Sequence, residues 1–125
     1  MTTVVAALIE RGGRILICQR RADHPHPLKW EFPGGKVEQG ELPPDALRRE
    51  LAEELAITAA IGPEVTRYEY AYPGKNPILL IFYRVTEFEG EPRNQVFAQI
   101  VWDERRKLRE YDFLEGDVDF VSTLE

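Results

Sequence analysis

A chain of 125 residues, 43% hydrophobic and 30% charged, has the composition of one ordinary globular domain with a single core. Its formal charge of −6 excludes the basic face that polymeric nucleic acid requires, because phosphate neutralisation dominates that affinity. No apolar run approaches the roughly 20 residues of a membrane-spanning helix, and a lone cysteine, Cys18, excludes an internal disulfide and fits a reducing, cytoplasmic setting.

In chain order, residues 3–9 read as a first strand, and Gly12-Gly13 turns it into a second over residues 14–20. The N-terminal segment lacks a basic stretch ahead of its apolar run and is followed by Glu10 and Arg11, which predicts a strand and not a signal peptide. Cys18 lies in the apolar run Ile15-Leu16-Ile17-Cys18, as a core thiol does. Residues 22–29 form a loop broken by Pro25 and Pro27. His24 and His26 have a spacing that suits metal ligands, but the prolines after both and the lack of a third ligand favour a solvated loop. Residues 31–37 carry a short strand and the Gly34-Gly35 bend.

A helix follows. Pro43 and Pro44 suit its first turn and Asp45 complements its dipole. Leu42 stands where a Ser or Thr cap would be expected, so the start is weakly capped. Leu47, Leu51 and Leu55 recur every fourth residue as the buried stripe. Beyond Gly62-Pro63, residues 65–72 and 78–88 form two strands across the turn at Pro73-Gly74-Lys75-Asn76-Pro77. The nearly unbroken apolar run 78–82 predicts a strand covered on both faces. Gly90 and Pro92 mark another turn, 98–102 is a further strand, and Asp103-Glu104 opens a short charged helix ending near Leu108. Residues 116–124 close the chain as a helix with Phe120, Val121 and Leu124 inward. Mixed strands with two principal helices imply one α+β domain over residues 1–125, an α/β/α sandwich with a mixed β-sheet between helices.

The chemistry concentrates in the helix. Arg49-Glu50-Leu51-Ala52-Glu53-Glu54 places three carboxylates at i, i+3 and i+4, on one side of a helix. Three like charges held together repel, and the arrangement makes sense around a divalent cation. Hard oxygen ligands that fill a shell incompletely suit Mg²⁺, which completes it with water and substrate phosphates. Each four-residue step rotates about 40°, so the glutamates flank the leucine stripe at the rim of the core, facing a cleft.

Residues 35–57 resemble the Nudix box, GX5EX7REUXEEXGU with U aliphatic. Gly35, Glu41, Arg49, Glu50, Leu51, Glu53, Glu54 and Ile57 match, and Ala56 replaces the second Gly. The preceding Trp30-Glu31-Phe32-Pro33-Gly34-Gly35-Lys36 is similar to the MutT-like branch. The resemblance implies the same sandwich fold and a pyrophosphohydrolase that cleaves a (d)NTP to the monophosphate and pyrophosphate. Oxidised purine nucleotides such as 8-oxo-dGTP lead as substrate, followed by CTP-like pyrimidines. Another nucleoside-diphosphate-X hydrolase and a non-catalytic Nudix-fold nucleotide-binding module are the alternatives. It implies Mg²⁺, with Mn²⁺ as a substitute, held by the Gly35 carbonyl, Glu50, Glu53 and Glu54, with Glu41 as an outer ligand. Glu50 is the candidate general base, Arg49 orients the glutamates, and Lys36 adds charge. For the substrate it implies Arg20 at the phosphates, Phe32 near the base and Asp117 at the base edge. The partner is a small nucleotide, with no polymeric nucleic acid and no membrane, for a cytoplasmic monomer or homodimer.

Four points stay open in the sequence. Ala56 falls where positive φ is expected, at a cost of roughly 1 kcal/mol. Val96 falls where MutT-like enzymes carry an acid, which implies either fewer tightly held ions or a further ligand from elsewhere, such as Glu91. Phe32 packs either on a base or in the core. Asp117 either reads the base, as an acceptor if ionised, or caps a helix.

Overall fold

A computed structural model describes residues 1–124. The elements run β1 (Thr2–Arg11), β2 (Arg14–Gln19), β3 (Trp30–Glu31), β4 (Gly34–Lys36), α1 (Pro43–Leu55), β5 (Thr58–Ala60), β6 (Glu64–Tyr70), β7 (Ile78–Val85), β8 (Glu87–Glu89), β9 (Gln99–Glu104), a 3₁₀ helix (Arg105–Glu110) and α2 (Glu115–Ser122). The main sheet has the order β3-β2-β1-β7-β6, with β4 also paired to β1 and β9 to β2; β5 and β8 form a separate ribbon. β1 and β7 run parallel, from Thr2 opposite Ile78 to Ile9 opposite Val85, whereas β6 is antiparallel to β7. The sheet is therefore mixed.

The alternation of side chains along a strand divides the core in two. From β1, Val5, Ala7 and Ile9 join Leu47, Leu51 and Leu55 of α1 on one face. Ala6 and Leu8 join Phe82, Phe120 and Val121 on the other, under α2. Because helices cover both faces, residues 5–9 are all buried, and that is why the strand reads as a continuous apolar run. Burying a leucine such as Leu51, which is 0% exposed, contributes roughly 1.5–3 kcal/mol.

Several expectations shift. Residues 31–37 divide into β3 and β4, because Pro33 interrupts the ladder while its carbonyl accepts from the Ala7 N–H at 2.8 Å. Residues 78–88 also divide: β7 ends at Val85, and β8 leaves the main sheet to pair with β5, a strand not expected from sequence. Asp103 and Glu104 finish β9, so the charged helix begins at Arg105 and is 3₁₀. The N-cap of α2 is Leu114, which makes Asp117 the third residue of the helix and rules out its reading as the cap. Leu42 caps α1 without a side-chain hydrogen bond, and Ala56 ends it in the left-handed region at φ 57°, its N–H bonded to the Ala52 carbonyl. Among the described residues no helix is long and apolar enough to cross a membrane.

Candidate active site

The glutamates of α1 reach the sheet through two glycines. β4 pairs with β1 so that Val5 opposes Gly35 and Ala6 opposes Gly34. A Cβ on Gly34 would overlap the Val5 carbonyl, so no other residue fits against that strand. A Cβ on Gly35 would lie 2.5 Å from Cδ of Glu50; the Glu50 carboxylate occupies the space a side chain would take. One helical turn on, Oε1 of Glu54 accepts the Gly34 N–H at 3.0 Å. Two carboxylates thus rest on the same two residues of backbone.

Arg49 ties this group together. Its guanidinium donates to both oxygens of Glu41, at 2.8 and 3.0 Å, to Glu50 at 2.9 Å and to the Lys36 carbonyl at 3.1 Å. Glu53 lies 3.6 Å away and has a 59% exposed side chain. Glu41 also accepts the Glu38 N–H, and hydrogen bonds from Arg49 and that amide hold its carboxyl down to about 2. The two oxygens of Glu41 are therefore committed to Arg49, as the anchor that fixes the arginine beside Glu50.

Glu54 has the opposite surroundings. Burial, then the neighbouring Glu50 and Glu31, push its carboxyl up to about 9, and among the described residues no basic side chain pairs with it. Burial also raises Glu50, despite the opposing hydrogen bond and charge of Arg49. Among the described residues no three Asp, Glu, His or Cys side chains already close on a single point; Glu50, Glu53 and Glu54 border a space and do not form a cage. Without a cation Glu54 therefore keeps its proton near neutral pH, and a divalent cation is what would let it ionise beside Glu50. The donor set is all oxygen, as Mg²⁺ requires, and open enough for the waters and phosphates that Mg²⁺ retains. The residues present fit that ion.

The loop of the missing acid lies at the end of α1. The Gln95 N–H donates to the Glu54 carbonyl at 3.1 Å, so the loop carrying Val96 does sit at the end of α1, but it presents a 40% exposed apolar side chain. Glu91 is engaged elsewhere, pairing with Arg11 at 2.7 Å.

From Glu54 and Gly35 a cavity of about 270 Å³ extends past Lys36, Glu31 and Arg20 to Asp117. Arg20 is held rigidly, donating to the two oxygens of Glu31 at 3.2 Å each and to the Pro25 carbonyl at 2.7 Å. Phe32 is 3% exposed and packs on Phe82, Phe113 and Phe120; it forms the cavity floor from within the core. Asp117 is 6% exposed. Burial, reinforced by Glu31, pushes its carboxyl up to about 8, so near neutral pH it keeps its proton and both donates and accepts, unlike an ionised acid. Glu31, His26 and Tyr72 also line the cavity, and sequence reasoning missed all three. For Glu31 the signal was a charge between two aromatic residues, Trp30 and Phe32, in a short strand.

A model of the NUDIX domain matches residues 1–122. The chain is 38% identical to the CTP pyrophosphohydrolase of Escherichia coli K12, over 94% of this chain and 87% of that protein. It is 41% identical to the 8-oxo-dGTP diphosphatase of Haemophilus influenzae, over 83% and 77% respectively. Among solved structures, the E. coli ORF135 protein superposes with a TM-score of 0.87 at 37% identity, covering 98% of this chain and 86% of that one. The MutT NUDIX hydrolase from Burkholderia pseudomallei gives 0.85 at 25% identity, with 97% and 95% covered. With the glutamates of α1 on the Gly34-Gly35 strand and the cavity beside them, these matches make the chain a member of the Nudix family, a MutT-like hydrolase of pyrophosphate bonds.

Proposed function

We propose that the protein cleaves a nucleoside triphosphate to the monophosphate and pyrophosphate with Mg²⁺, or Mn²⁺ in its place, as a cytoplasmic monomer or homodimer. One observation carries the reading: the Glu54 end and the Asp117 end open onto the same cavity. Its volume of about 270 Å³ lies just below the ~300–1,000 Å³ of drug-sized ligand sites, which suits one nucleoside and not two.

Glu50, Glu53, Glu54 and the Gly35 carbonyl are the groups that would hold the ion, which supplies charge neutralisation on the phosphates and helps activate the attacking water. One water adds across the α–β anhydride bond. Glu50, held by Arg49, is the base that removes the water's proton. Lys36 lines the cavity and is the ammonium that would add positive charge at the phosphates. Arg20, held by Glu31, is the guanidinium offered to the phosphates. Asp117, neutral and buried, offers a donor and an acceptor to the base.

A neutral carboxyl complements a base edge that places an N–H beside an acceptor, as 8-oxoguanine and cytosine both do. Oxidised purine nucleotides such as 8-oxo-dGTP lead. A cytosine nucleotide is the second reading, favoured by the relative of that specificity that spans nearly the whole chain. The test is a panel of (d)NTPs, including 8-oxo-dGTP and CTP, with Mg²⁺ and scored for both products. Release of orthophosphate in place of pyrophosphate, or no turnover of any nucleotide, would sink the reading.

A further inference from the structure

Phe32 leaves the base without a stacking partner, since its ring is enclosed by Phe82, Phe113 and Phe120. Apart from Phe32, the aromatic rings lining the cavity are those of His26 and Tyr72. They touch, with ring centroids 4.9 Å apart at 44°, although they come from separate loops, β2–β3 and β6–β7. We propose that Tyr72 and His26 together form the stacking wall for the base, Tyr72 as its fixed half and His26 as the half that moves to cover the bound nucleotide. The proposal rests on the nucleotide reading given above.

Tyr72 is fixed by two contacts. Its hydroxyl oxygen accepts the Gly116 N–H at 3.1 Å, one residue before Asp117. A Cβ on Gly116 would meet that oxygen at 2.8 Å, so the glycine keeps the tyrosine seated at the start of α2. The wall and the buried carboxyl are thereby held in a set relation. Tyr70 packs edge-on behind Tyr72 at 4.8 Å.

His26 is placed differently. It is exposed, and among the described residues its imidazole makes no hydrogen bond. Its backbone is left-handed at φ 54°, and Leu28, two residues on, is left-handed at φ 61°. Such strain in non-glycine residues persists where surrounding structure enforces it and gathers at ligand sites. The loop is clasped at its ends, by Arg20 donating to the Pro25 carbonyl and by Gln19 donating to the Leu28 carbonyl at 3.1 Å. Between those clasps His26 is free to exchange the Tyr72 face for a base. A stacked base is worth about 1–3 kcal/mol by alanine substitution and is tolerant of base identity, so the wall supplies affinity while Asp117 supplies choice.

The test compares wild type, His26→Ala, His26→Phe, Tyr72→Leu and Tyr72→Phe on the nucleotide panel, with thermal melts of each. His26→Ala and Tyr72→Leu should raise KM about tenfold or more on the best nucleotide, with the larger share of the loss in KM and not in kcat. His26→Phe and Tyr72→Phe should recover most of it. His26→Ala with a wild-type KM for every nucleotide would overturn the proposal. So would a Tyr72→Leu loss that Tyr72→Phe fails to relieve while both melt lower, which would mark Tyr72 as structural. Wild-type protein inactive on the whole panel would instead remove the nucleotide reading itself.

Discussion

The Gly34 amide donates to the Glu54 carboxylate at 3.0 Å, across twenty positions of chain. That bond docks α1 on β4 and brings to the mouth of the cavity a carboxyl that has no basic partner among the described residues. The arrangement costs stability in the absence of a cation. Glu54→Gln should therefore raise the melting temperature of the metal-free protein and lower turnover by ~10²-fold or more, the scale of losing a charge-stabilising group. Divalent cations should raise the wild-type melting temperature, by linkage, and raise that of the variant less. Thermal melts with and without Mg²⁺ check this; equal Mg²⁺ shifts would place the ion away from Glu54.

Glu53 differs because its side chain is largely exposed. Glu53→Gln should leave the melting temperature of the metal-free protein within about a degree or two, since exposed substitutions usually change stability by less than about 0.5 kcal/mol. Its turnover should still fall ~10²-fold. Wild-type turnover at saturating Mg²⁺ would remove Glu53 from the ion site.

Asp117 predicts a pH dependence of stability. Its carboxyl is raised to about 8 in the fold from an ordinary 3.8. Below about pH 4 both folded and unfolded chains hold the proton. Between 4 and 8 the unfolded chain releases it and the folded chain keeps it, so this contribution falls as pH rises and is lost above about 8. Asp117→Asn lacks that dependence. Its melting temperature relative to wild type should climb from pH 5 to pH 8.5, and a flat difference would contradict a protonated Asp117. Asp117→Ala should narrow the gap in kcat/KM between the preferred nucleotide and its nearest competitor by about 1–3 kcal/mol.

Ala56 offers a change away from the chemistry. It ends α1 at φ 57°, where glycine pays no steric cost. Ala56→Gly should stabilise by roughly 0.5–1 kcal/mol, read as a rise of a few degrees in a thermal melt, with kcat/KM unchanged. A lower melting temperature would mean that the Ala methyl packs usefully at the helix end.

Much of the site was legible because its signals are local. Glu50, Glu53 and Glu54 share a helix face by spacing alone, and Leu47, Leu51 and Leu55 orient that face toward the sheet, so the rim position of the carboxylates followed from periodicity. The apolar run through Phe82 foretold a strand covered on both faces for the same reason. What tertiary structure decided depends on residues distant in sequence. Asp117 lines the cavity and is not a helix cap because α2 begins two residues earlier and packs against Phe32, which pulls the carboxyl out of water. Glu91 is occupied by Arg11, a partner eighty positions away in sequence that only the fold brings to it. His26 and Tyr72 meet only because two loops converge over one cavity. No spacing rule connects residues whose separation is set by the sheet order, and burial, which fixes the charge state of Glu54 and Asp117, exists only once the layers have closed.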